Sequence, residues 1–92
     1  MKYKSIIKPP KSNRLKSGRV SLKCNEDVGW HVTEKKEELI VVIKGEATVF
    51  LDKRIKKVFT GESIYIKPET KHNVKNISKK ELEYIYVVSL LD

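Results

Sequence analysis

The chain has 92 residues, 39% of them hydrophobic and 35% charged, with a formal net charge of +8. That length excludes two domains and limits the protein to one small core, because a domain this short buries only about 60 to 70% of the surface its unfolded chain exposes. A single cysteine, Cys24, excludes an internal disulfide framework and a C-x-x-C metal or redox motif, and favours a reducing, cytoplasmic setting.

In chain order, the charge excess comes first. Residues 1–23 carry Lys2, Lys4, Lys8, Lys11, Arg14, Lys16, Arg19 and Lys23 and no acid, while residues 24–92 hold basic and acidic side chains in equal number. Residues 1–18 therefore read as a basic N-terminal arm, an edge strand followed by a linker at Pro9-Pro10, and residues 19–92 as a single barrel. Such an arm could meet phosphate, the acidic surface of a partner subunit, or solvent. No aromatic or Arg-rich readout pattern accompanies it, which disfavours nucleic acid.

Beyond the arm the hydrophobic period is two, or continuous, almost everywhere. Residues 20–24 and 29–33 alternate as strands. The polar stretch 33–38 contains good helix formers but no 3.6-residue apolar stripe, so it reads as a loop, with a helix over 33–44 as the competing reading. Ile40-Val41-Val42-Ile43 is a β-branched run suited to a strand buried on both faces, ended by Gly45 at a tight bend. Further strands are expected at 46–51, 55–59, 63–67, 71–77 and 82–90, punctuated by Asp52-Lys53-Arg54, Gly61, Pro68 and the turn at 76–79. Seven or eight short strands and no helix make an all-β sandwich or barrel that must hide its edges. The longest apolar run, Leu39 to Ile43, is far too short to span a bilayer, and no signal-peptide pattern is present. The absence of Gln beside abundant Lys, Glu and Ile is a balance found in proteins from hot environments, or in a genome of biased base composition.

The two histidines, His31 and His72, carry the most informative spacing. His31 is followed by Thr33, Glu38 and Gly45; Gly61 is followed by Lys67-Pro68, His72 and Asn76. These strings resemble the paired motifs of the cupin superfamily, G-x5-H-x-H-x3-4-E-x6-G and G-x5-P-x-G-x2-H-x3-N. Departures accompany the match: Thr33 stands at the second His, Asn25 and Glu69 at two of the glycines, and Pro68 is displaced by one. The resemblance implies a jelly-roll β-barrel with a divalent metal at its mouth, on His31, Glu38 and His72, with Thr33 at the fourth ligand position. Two imidazoles and a carboxylate are the set of non-haem iron sites that keep open positions, and Fe, Mn, Ni, Cu and Zn all suit it. Alternation favours Glu38 over Glu37 as the inward carboxylate. A poor ligand such as Thr33 weakens the site, and a degenerate, metal-free site is the alternative.

Thr33, Tyr65 and Tyr86 are candidate pocket-lining residues, and Trp30 and Tyr84 belong to the same aromatic set, whose blander role is packing. Cys24 reads as a small buried hydrophobe, and residues 34–37 and 79–81 as solvated turns. Three functions remain open: a metal-dependent oxygenase-like or sugar-isomerase-like enzyme with Tyr65 or a terminal-strand tyrosine as proton donor, a metal-free small-molecule binding or sensing barrel, and an interaction protein using the basic arm. The size, the exposed edges and the resemblance all imply a homodimer built through the N-terminal edge strand.

Overall fold

The computed structural model describes residues 1–92, which form nine β-strands and no helix. In order these are β1 (Lys2–Ile7), β2 (Leu15–Leu22), β3 (His31–Val32), β4 (Lys36–Lys44), β5 (Glu46–Leu51), β6 (Arg54–Phe59), β7 (Ser63–Ile66), β8 (Lys71–Lys75) and β9 (Leu82–Leu90). They make two antiparallel sheets, β1-β2-β9-β4-β7 and β3-β8-β5-β6, packed face to face as a jelly roll. The outer strands are β1 and β7 in one sheet and β3 and β6 in the other.

The core follows from alternation. On β4 the side chains of Glu38, Ile40 and Val42 point between the sheets, and Leu39 and Ile43 point outward and are exposed. The run Ile40 to Ile43 is therefore buried on one face, not on both, because no second layer covers the outer side of its sheet. Val20 and Leu22 of β2, Ile64 and Ile66 of β7, and Leu82 and Tyr84 of β9 complete this wall. Ala47, Val49, Val58 and Val74 face them from the second sheet. Each fully buried aliphatic side chain contributes about 1.5 to 3 kcal/mol of transfer free energy.

Three sequence readings change. β4 begins at Lys36, so residues 36–38 are strand and not loop or helix: β9 and β7 pair with it from both sides, and that tertiary pairing overrides helix propensity. β2 begins at Leu15 and runs across residues 18 and 19, with Leu15 paired to Ser89. Cys24 lies beyond the end of β2 in a turn and is exposed, not buried. The N-terminal strand β1 pairs with β2 of its own chain, leaving its other edge open.

The bend after β4 needs Gly45, which has φ of +81°; a Cβ there would come within 2.6 Å of the Glu81 carbonyl oxygen. Asn25 and Glu69, at the two motif positions that lack glycine, also adopt left-handed backbone, with φ of +67° and +60°. The conformation therefore survives without the residue that adopts it most readily.

Candidate metal centre

Three strands bring the site together. His31 on β3 and His72 on β8 are direct register partners, and their rings meet edge to face with centroids 4.0 Å apart. Glu38 reaches the same point from β4 in the opposite sheet, its alternation placing Glu37 on the outer surface as expected. The ligand atoms of His31, Glu38 and His72 all lie within 4.8 Å of one another.

Each imidazole is oriented by a carbonyl. The His72 Nδ1 is 3.0 Å from the Thr70 oxygen and the His31 Nδ1 is 3.1 Å from the Gly29 oxygen. A carbonyl can only accept, so both Nδ1 atoms carry a proton and each Nε2 is the nitrogen that could bind a metal, the usual outer-shell arrangement of a metal-bound histidine. His72 is fully buried, and its Nε2 has no hydrogen-bond partner although it stands 3.3 Å from Glu38 Oε1. Burial pulls the His72 pKa down; the Glu38 carboxylate and the Thr70 carbonyl outweigh it and hold the ring above its ordinary value, against the nearby Lys36 ammonium. Glu38 and His72 are buried and His31 is exposed beside them; a cation among the converging nitrogens and carboxylate, either a proton on His72 or a metal ion, offsets their repulsion. The residues present fit a divalent ion. Ligands about 2.1 Å from one ion stand at most about 4.2 Å apart, so small side-chain movements suffice to close the set.

Beside the three lies a cavity of about 260 Å³ between the sheets. Val20, Val28, Val74 and Val88 give it apolar walls, and His31 and Glu38 open onto it. Tyr84 and Tyr86 of β9 also line it. Burial pushes both phenols well above the ordinary tyrosine range, and the charge of Glu38 adds to this, so both remain protonated donors. Tyr86 stacks on Tyr3 of β1, ring centroids 6.0 Å apart and nearly parallel, and the two hydroxyls share a hydrogen bond. Gly18 on β2 makes room for this: a Cβ there would meet the Tyr86 ring and hydroxyl at 2.7 to 2.8 Å.

Of the residues expected to line a pocket, Tyr86 reaches this cavity and Thr33 and Tyr65 do not. The buried Thr33 hydroxyl donates to the Lys67 carbonyl at 2.7 Å and accepts from the Thr70 N–H at 3.0 Å. It braces the loop that leads into His72. Tyr65 lies on the outer face of β7, donates to Glu37 at 2.7 Å and borders a separate groove with Arg54 and Lys67. Trp30 is half exposed, near Phe50 and under the Lys71 ammonium, away from the cavity. Lys16, Lys36 and Tyr3 line the cavity as well, beyond the residues expected there. Period-two alternation with Glu38 marks Lys36; Tyr3 has no local signal, since its partner is 83 residues away.

A family model described as "Cupin domain" matches residues 18–88. The chain belongs to the cupin family. Solved structures agree on the fold of this cupin. The TT1209 protein of Thermus thermophilus superposes with a TM-score of 0.89 at 17% identity, over 100% of this chain and 85% of that one. The cupin domain of Schizosaccharomyces pombe Cnp3 gives 0.87 at 12% identity, over 96% and 63%. A protein of Thermotoga maritima titled a predicted oxalate decarboxylase gives 0.78 at 22% identity, over 83% and 66%. The cupin thus spans somewhat under two thirds of the length of the S. pombe chain and about two thirds of the T. maritima chain. Among curated proteins, no sequence matches it.

Proposed function

We propose that this cupin holds one divalent transition-metal ion on His31, Glu38 and His72 and presents it to a small molecule in the adjoining cavity. The observation that carries the reading is the buried Nε2 of His72, 3.3 Å from Glu38 Oε1 and converging with His31 on the same point. When bound, such an ion supplies Lewis-acid polarisation of a ligand oxygen, with coordination positions left open by a three-residue set. The chain supplies the rest. Gly29 and Thr70 hold the imidazoles in register, the valines give the cavity an apolar wall, and the Tyr84 hydroxyl, with that of Tyr86 beside Tyr3, would donate to an oxygen that gains negative charge. Reaction classes that fit are oxygenation and isomerisation of a carbonyl compound.

The test is elemental analysis of untagged protein purified without chelator, beside the His31→Ala/His72→Ala variant. Near-stoichiometric Fe, Mn, Ni, Cu or Zn in the first and none in the second is expected. No uptake after incubation with excess divalent ions would sink the metal reading and leave a metal-free binding barrel.

A further inference from the structure

Two lysines line the cavity, and neither has an ion-pair partner. Lys36 is on β4, two residues before Glu38 and on the same face, so its Cα is about 7 Å from that of the carboxylate ligand. Lys16 is on β2, in register with Val88 of β9, which is itself in register with Glu38; two strand spacings put its Cα about 10 Å away. Glu38 is the one carboxylate of the lining and is turned toward the histidines. The cavity is thus net positive even before a divalent cation is added, in a space walled otherwise mainly by valines and tyrosines.

The volume limits what enters. About 260 Å³ corresponds to about nine waters of liquid, just under the lower end of ordinary ligand pockets. A neutral molecule of that size would leave the half-buried Lys36 without a counter-charge, whereas a carboxylate would pair with it and with Lys16 at the rim.

We propose that the molecule bound in this cavity is a small organic carboxylate, its acid group held by Lys36 and Lys16 and its body packed on Val20, Val74 and Val88. This rests on the metal-binding reading for the ligand's other end, while the lysines select charge independently of the ion. Lys36, half buried, is the main determinant; Lys16, exposed at the rim, adds less.

The experiment compares two isosteric pairs, acetate with acetamide and benzoate with benzamide, by calorimetric titration into protein loaded with Zn2+ and into metal-free protein. Lys36→Met and Lys16→Met/Lys36→Met are titrated alongside, since methionine keeps the unbranched stem and removes the charge. We expect at least one carboxylate to bind at least about tenfold tighter than its amide, and that preference to fall about tenfold in Lys36→Met with Zn2+ stoichiometry unchanged. A preference that is absent, or that both lysine variants retain in full, overturns the inference and leaves metal binding standing. If the protein takes up no Zn2+, that ion is ruled out for the site, and the metal-free titrations decide the carboxylate question alone. A lysine-dependent preference there sustains the carboxylate site, and none overturns it.

Discussion

Gly18→Ala is the sharpest single test of how the cavity is walled. The new methyl carbon would sit 2.7 Å from the Tyr86 hydroxyl oxygen and 2.8 Å from two ring carbons, where ordinary contacts are 3.4 Å or longer. The ring must therefore retreat by about 0.7 Å or more, and β2 cannot yield instead, because eight consecutive residues pair it to β9. Retreat carries the ring into the cavity and pulls its hydroxyl from that of Tyr3. Overpacking costs about 1 to 3 kcal/mol, and loss of a half-solvated hydroxyl contact adds up to about 1 kcal/mol. A destabilisation of about 2 kcal/mol lowers Tm by roughly 8 to 16 °C in a domain this small. The assay is urea and thermal unfolding of wild type, Gly18→Ala, Tyr86→Leu and the double variant. A coupling energy of about 1 to 2 kcal/mol is expected, because the smaller side chain removes the clash. A neutral Gly18→Ala, or strictly additive variants, would refute the close approach of ring and strand.

Metal uptake must displace the proton that Glu38 helps His72 retain, so apparent affinity is expected to fall about tenfold per pH unit below the raised His72 pKa; a flat profile from pH 5 to 8 in metal titrations would contradict this. In the metal-free protein the sign is opposite: the stabilisation from a raised histidine pKa is full below about 6.5 and lost as pH rises through the folded value. Thermal melts in chelator should thus show wild type losing stability toward pH 8 relative to His72→Gln, and no such loss would count against the pairing. Asn76→Ala is expected to cost about 2 to 4 kcal/mol by urea unfolding, because its buried amide donates to the Leu22 and Lys80 carbonyls and accepts from Ser78; a loss below about 1 kcal/mol would show those contacts to be dispensable. Lys35→Gly should stabilise by about 0.5 to 1 kcal/mol, since φ at Lys35 is +55° and its side chain makes no hydrogen bond or ion pair, and a lowered Tm would argue against strain there.

What was legible in the sequence is what local pattern encodes. The β-branched run before Gly45, the short alternating strands after it, and the spacings His31 to Glu38 and Gly61 to His72 each reflect one strand's alternation or one turn's length. The all-β jelly roll and the converging trio rest on these. What was not legible depends on partners distant in the chain. Residues 34–38 have the composition of a solvated turn, yet β9 pairs with residues 36–38, and β7 with Glu38, drawing all but the first two into a strand that aims Lys36 inward. Thr33 occupies a ligand's place in the motif, but its hydroxyl is satisfied by a loop 34 to 37 residues away. Tyr65 and Tyr86 look alike in composition; the apolar neighbours Ile64 and Ile66, buried on the opposite face, put Tyr65 outside, and strict alternation along β7 would have separated the two.

The open rims of the two sheets bear on the molecule's behaviour in concentrated solution. β1 offers Lys2 and Lys4 along its unpaired side, and β6 offers Arg54, Lys56 and Lys57, all exposed. Free rims of backbone donors and acceptors are templates for growth into fibrils, and lysine is a common means of blocking them. Here, repulsion between like-charged rims acts over about 10 Å in dilute buffer and only about 3 Å in molar salt. Colloidal stability of this protein should therefore fall as ionic strength rises.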